Sequence, residues 1–190
     1  YDVTATASDA SVSGYGDRTD ETVLSFTNNL VNTSNTLQWV DYTFTANILD
    51  PRTGLSYCTD GAIDTTIRIY INPEPQIAVS VQDTLCFEEG TTFTISTTTP
   101  SGNTTGEWVY DVTATASDAS VSGYGDRTDE TALSFTENLV NSSNDVQWVD
   151  YTFTAKILDP YGGQPYCTDG AIDTTIRIWI NPEPQIAVSV

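Results

Sequence analysis

The sequence repeats itself. Tyr1–Val81 recurs as Tyr110–Val190 at an offset of 109 residues, with 70 of 81 aligned positions identical. A period of that length is one domain, so whatever this chain folds into must be a unit that works more than once. The differences are mild, such as Val23 against Ala132, Asn47 against Lys156 and Tyr70 against Trp179. Their largest cluster, Arg52–Ser56 against Tyr161–Pro165, has the variability of a surface loop. Gln82–Val109 occurs once, so the 190 residues span about 1.7 periods.

Period-2 alternation places strands on that repeat. Val149, Tyr151, Phe153, Ala155 and Ile157 alternate with polar residues, and Ile172, Ile176, Ile178 and Ile180 repeat the pattern in a second run. Trp108, Tyr110, Val112, Ala114 and Ala116 form a third set. Phe93, Ile95 and Thr97 form a fourth, and Ile77, Val79 and Val81 a short fifth. Leu133 and Phe135 begin a sixth, with a helical turn within Thr131–Val140 as the alternative. One-sided alternation predicts sheets with one buried and one wet face. The expectation is an all-β fold of tandem Ig-like antiparallel β-sandwiches in an extended array.

Asn-Pro-Glu-Pro at Asn72–Pro75 and at Asn181–Pro184 removes backbone donors and favours a stiff extended segment. Taken as boundaries, these segments divide the chain into residues 1–72 as the C-terminal part of one repeat, 73–181 as a complete repeat and 182–190 as the first strand of another. Strand A of the complete repeat is expected at Gln76–Val81, F at Val146–Asp159 and G at Ala171–Asn181. On this reading the chain is an excerpt of a continuing rod. The first copy lacks strands A and B, which leaves Tyr42, Phe44 and Ile67 open.

Composition narrows the function classes. Twenty-six acidic against six basic residues gives a net charge of −20, which opposes a phosphate backbone or an anionic membrane surface as partner. With no His in the sequence, His-based triads, general bases and metal sites are excluded. No apolar run approaches the roughly 18 residues of a membrane span. Thr is about one residue in six, the usage of exposed β-structure.

The chain shows a strand ending in Ile-Asn-Pro-Glu-Pro, a Cys soon after the next short strand, Phe-Thr-Ile, a Trp-centred strand, Asp-Tyr-Thr-Phe-Thr and a second Cys before a Thr/Ile-rich strand; the first Cys and Phe-Thr-Ile lie in the segment present once. This pattern resembles the PKD-like repeats of giant Bacteroidota cell-surface proteins of the SprB gliding-motility adhesin type. The Trp-Asp-Phe-Gly-Asp-Gly motif usual in PKD domains is absent. The resemblance implies a very long secreted polypeptide of tandem β-sandwiches, exported by the type IX system and displayed on the cell surface.

Several groups are candidate sites. Cys58 and Cys167 are equivalent, and Cys86 has no earlier counterpart, as two Cys per repeat would give. An extracellular setting favours disulfides. Cys86–Cys167 within one domain is the simple pairing. Standard Ig topology opposes it by putting the A–B turn and the F–G hairpin at opposite ends, roughly 20 Å apart. Pairing between successive domains is the favoured of the two. In the acidic loops, Asp126, Asp129 and Glu130, with Asp17, Asp20 and Glu21 in the first copy, are read as a solvated stretch, with Ca²⁺ ligation as the alternative. Trp148, Arg177 and Trp179 meet on the outer face of F and G, as a cross-strand clip or as a carbohydrate platform.

Asn32, Asn103 and Asn141 match the N-glycosylation pattern. Asp83-Thr84-Leu85 resembles the O-glycosylation acceptor of Bacteroidota, with Thr84 in a turn, whereas Thr65 and Thr174 point inward. The expected role is a structural spacer in a surface filament or adhesin, for cell-surface adhesion or gliding, with neighbouring repeats as partners. A module binding surface glycans or Ca²⁺ is the alternative. No nucleophile and base constellation recurs, so no catalysis is expected.

Overall fold

The computed structural model describes residues 1–58, 64–99, 102, 104–159, 165–167 and 173–188. It is all-β and divides into two compact units. The first unit is Tyr1–Glu74 with Asn103–Thr105, and the second is Pro75–Gly102 with Gly106–Val190.

The second unit holds β8 (Ala78–Ser80), β9 (Thr84–Leu85), β10 (Gly90–Ser96), β11 (Glu107–Ala116), β12 (Val121–Ser122), β13 (Arg127–Glu130), β14 (Ser134–Asn138), β15 (Val140–Asn141), β16 (Gln147–Leu158), β17 (Pro165–Cys167) and β18 (Thr174–Ile180). One sheet has the order β14-β10-β8. The other runs β13-β11-β16-β18-β9, with β17 also on β16. The inward-facing sets of both sheets share one core, which joins Phe93 and Ile95 to Trp108, Tyr110, Tyr151, Phe153, Ile178 and Ile180. This is a β-sandwich of Ig-like strand order. The Phe93 ring sits 4.7 Å from that of Phe135 and 4.8 Å from that of Tyr151, at the centre of an aromatic cluster.

The alternation holds along β10, and along β11 and β16 except at Val109 and Lys156, which are buried on the opposite face. Val149, Tyr151, Phe153, Ala155 and Ile157 are fully buried, as are Ile178 and Ile180, while Ile176 is half-buried. Ile172 lies outside the described residues. Residues 134–138 form β14, so the helical alternative for this stretch is not adopted, and Leu133 is exposed because it precedes the strand. Strand A is found as β8 within the expected Gln76–Val81, and a further short strand, β9, follows it. β8 pairs with β10 in one sheet, and β9 crosses to pair in parallel with β18 in the other. β8 and β9 are thereby short edge strands, one on each sheet.

The first unit contains β1 (Asp2–Ala7), β2 (Val12–Ser13), β3 (Val31–Asn32), β4 (Gln38–Thr45), β5 (Ile48–Leu49), β6 (Ser56–Cys58) and β7 (Thr65–Ile71). Its main sheet is β1-β4-β7, which matches β11-β16-β18 residue for residue in register. No described strand of this unit corresponds to β8, β9 or β10. Ile67 is exposed and Phe44 only half-buried, but Tyr42 corrects the expectation by being buried. The loop carrying Phe26 and Asn28 lies against it: Asn28 Nδ2 donates to the Tyr42 hydroxyl at 2.6 Å, and the Phe26 ring stands 6.1 Å from its own. Residues 51–55 are exposed, as a surface loop requires, and their counterparts 160–164 lie outside the described residues.

Candidate functional site

The outer face of β16 and β18 carries the most ordered polar array. Period 2 puts Trp148, Asp150, Thr152 and Thr154 on one face of β16. Asp173, just ahead of β18, continues the matching set Thr175, Arg177 and Trp179. Antiparallel pairing then sets Trp148 opposite Trp179, Asp150 opposite Arg177 and Thr152 opposite Thr175. Arg177 donates from Nε and Nη2 to the two Asp150 oxygens, each at 2.7 Å. Its guanidinium lies 3.8 Å from the Trp148 ring centroid and 5.6 Å from that of Trp179. The threonine hydroxyls are 2.9 Å apart, and Thr154 Oγ1 donates to Asp173 at 2.6 Å. The first unit repeats this ladder with Asp41–Arg68, Thr43–Thr66 and Trp39–Tyr70.

The ladder therefore spends its polar groups on itself. The bidentate pair and the stacked guanidinium clip two strands together. What remains available is Trp179, 41% exposed. Arg177 holds the Asp150 carboxyl below the usual carboxylate range, and Arg68 does the same to Asp41. The Ser120 backbone N–H lowers Asp118, as that of Ser11 lowers Asp9.

These depressed values set a pH dependence. The unfolded carboxyls protonate first as pH falls, so the stabilisation is fully present above the ordinary value of about 4. It is lost as pH drops through the lower folded values. The net charge of −20 acts oppositely, because protonation relieves repulsion. We expect the urea midpoint to hold or rise slightly from pH 7 to about 5, then to fall below about pH 4. Asp150→Asn should shallow that acid limb, and an unchanged limb in this variant would count against the pair as its source.

The acidic-loop carboxylates are not brought together. Asp126 Oδ1 accepts from the Ala114 amide at 2.8 Å, Asp129 pairs with Lys156 at 2.6 Å, and Glu130 pairs with Arg127 at 3.7 Å. In the first unit Asp17 accepts from the Ala5 amide at 2.8 Å, Glu21 pairs with Arg18 at 3.4 Å, and the Asp20 amide donates to Asp2 at 2.8 Å. Among the described residues no cluster of three or more carboxylate or Cys groups is placed to hold a metal ion. Lys156 also bonds both Asp111 oxygens at 2.7 Å. Burial lowers its pKa, but the bonds to Asp111 and Asp129 outweigh that and leave it raised. Asn47, its counterpart, makes the neutral version of the contact, donating to Asp2 at 2.6 Å.

The cysteine backbones lie far apart. Cys167 pairs with Ile157 near one end of β16, while Cys86 follows Leu85, which pairs with Ile180 and so with the Gln147 end. Ten residues of β16 separate these ends, about 33 Å of strand. Cys86 is exposed and is not bridged within this chain. Thr84 lies in strand β9 and not in the expected turn, because it pairs with Trp179 of β18; it is exposed, its hydroxyl 3.2 Å from Asp83 Oδ1. Thr174 sits opposite Phe153 on the inward face and is half-buried. Thr65 sits opposite Phe44 on the equivalent inward face, as expected, but is exposed because that face lacks a cover in the first unit.

Two functional placements escaped the sequence reading. Asn141 is fully buried, and its Nδ2 donates to Asp145 O at 2.8 Å and to Ile180 O at 3.0 Å. Asn32 does the same with Thr36 O and Ile71 O. These amides fasten the end of a core strand, so their sequons have a structural use. Asn103 lies outside the described residues. The other was Asp150 as the Arg177 partner, a pairing that antiparallel register alone would have indicated.

No protein-family model matches the chain, and no curated protein matches its sequence. Among the described residues no helix is long and apolar enough to cross a membrane.

Proposed function

We propose that the chain is a non-enzymatic structural repeat of a long extracellular surface filament or adhesin, a stiff spacer serving cell-surface adhesion or gliding, of the PKD-like kind its motifs resemble. The observation that carries this reading is the duplication of a self-satisfied outer ladder. Both copies keep Asp–Arg, Thr–Thr and aromatic pairs at identical register, and both commit them to clipping strands rather than to a pocket. Selection for a repeated rod segment accounts for 70 of 81 identical positions. The dense negative charge keeps neighbouring rods apart. The cysteines form bonds between successive domains, in keeping with the end-to-end separation of Cys86 and Cys167, and Thr84 is an O-glycosylation acceptor.

The second reading, a glycan-binding module, rests on the exposed Trp179. A glycan array decides between them. A spacer gives no hits, whereas a defined hit abolished by Trp179→Ala replaces the spacer reading with the binding module. Antibody labelling of intact cells of the source organism, with and without protease shaving, checks the surface location. Signal only after lysis would overturn it.

A further inference from the structure

The two units present the same inward face in two states. In the second unit, Tyr151, Phe153, Ile176 and Ile178 are covered by Ile77, Leu85, Phe93 and Ile95. In the first unit the equivalent residues Tyr42, Phe44, Ile67 and Ile69 line a groove of 290 Å³ together with Phe26 and Leu30. Ile178 is 0% exposed, whereas its counterpart Ile69 is 42% exposed and Ile67 is 49% exposed. The backbone follows suit. Ser134–Asn138 is strand β14 because β10 pairs with it, yet the near-identical residues 25–29 form no strand. β18 pairs with both β16 and β9, while β7 pairs with β4 alone among the described strands.

We propose that the open face of the first unit is an acceptor for a second copy of this chain's own residues 76–96, the segment that carries β8, β9 and β10. The argument is one of identity. Every apolar side chain lining the groove has the same residue type at the position 109 further on, and there the structure shows what covers it. The donated segment would bring Phe93 between the Phe26, Tyr42 and Phe44 rings, as it lies 4.7, 4.8 and 5.7 Å from those of Phe135, Tyr151 and Phe153. It would also pair residues 25–29 through β10 and the outer edge of β7 through β9, recognition by strand addition with alternate side chains filling the groove. The proposal rests on the repeat in the sequence and not on the surface location, so a failed localisation or glycan result leaves it standing.

The test compares the chain as it is with the chain carrying residues 76–109 fused ahead of Tyr1, a junction that reproduces Val109–Tyr110. Amide hydrogen exchange is read over residues 25–29 and 66–70. In the fused chain it should slow at least about tenfold, towards the rates of residues 134–138 and 175–179. Fluorescence of a hydrophobic dye bound to the unmodified chain should be lost as well. Phe93→Asp with Ile95→Asp in the added copy alone should restore fast exchange. A synthetic peptide of residues 76–96 should displace the dye from the unmodified chain saturably, which keeps the test independent of how the fusion folds. Unchanged exchange in a folded fusion, or a peptide without effect, overturns the proposal. So does self-association of the unmodified chain that protects residues 25–29 and 66–70, since that assigns the face to another occupant, such as the exposed Ile186 and Val188 of a neighbouring molecule.

Discussion

Phe153→Ala is expected to destabilise the second unit by about 3–5 kcal/mol, the range for deleting a fully buried aromatic ring. Phe153 is 0% exposed and packs against Phe93, Tyr110 and Phe135. The same substitution at Phe44 should cost the first unit less, about 1–2 kcal/mol. Phe44 is half-buried and borders an open groove, so truncation removes less transferred surface and leaves no closed cavity. Urea titration with hydrogen exchange resolved by segment separates the two units. Equal costs for the two variants would show that the first unit's inward face is covered in solution.

Gly123→Ala should destabilise the second unit by at least about 3 kcal/mol, through overpacking and an unfavourable backbone conformation together. Gly123 has φ +85°, and a Cβ there would stand 1.9 Å from Asn138 O and 2.9 Å from Asn138 C. The obstruction is the backbone at the end of β14, so no side-chain rotation relieves it. Gly14 repeats the geometry, with φ +83° and Asn29 O at 1.8 Å from the added carbon. Gly125→Ala is the control, because nothing lies within 4 Å of its added Cβ. Thermal melts of both variants check this, and a Gly123→Ala protein melting with the parent would show that the β12–β15 connection does not hold this approach.

Much of the architecture was legible because alternation is a local property. Val149 to Ile157 must show one face to a core and the other to water wherever the strand pairs, and the pattern named the buried side chains correctly. The ladder was partly legible for the same reason, since Trp148 and Trp179 sit at matching ends of neighbouring strands. Strand β9 was not legible. β8 and β9 are two or three residues long, and their assignment to different sheets depends on β10 and β18, which are distant in sequence. The role of Asn141 was hidden too, because its partners Asp145 O and Ile180 O are backbone atoms that carry no sequence signature.

The repeat separates what the residues dictate from what the fold decides. Arg-Thr-Asp-Glu pairs alike in both copies: β13 at Arg127–Glu130 is matched to Tyr110 and Val112, and in the identical residues 18–21 Arg18 exchanges backbone bonds with Val3 and Glu21 with Tyr1. Ser-Phe-Thr opens β14 at Ser134 and no strand at Ser25. Ile178 is buried where Ile69 is exposed. The sequence by itself determined which side chains face inward, because the pleat turns alternate residues to opposite sides. Only the tertiary structure decided whether that inward face is covered and whether its edges become strands. A strand exists through hydrogen bonds to another segment, and the apolar face is buried only when a second sheet lies across it.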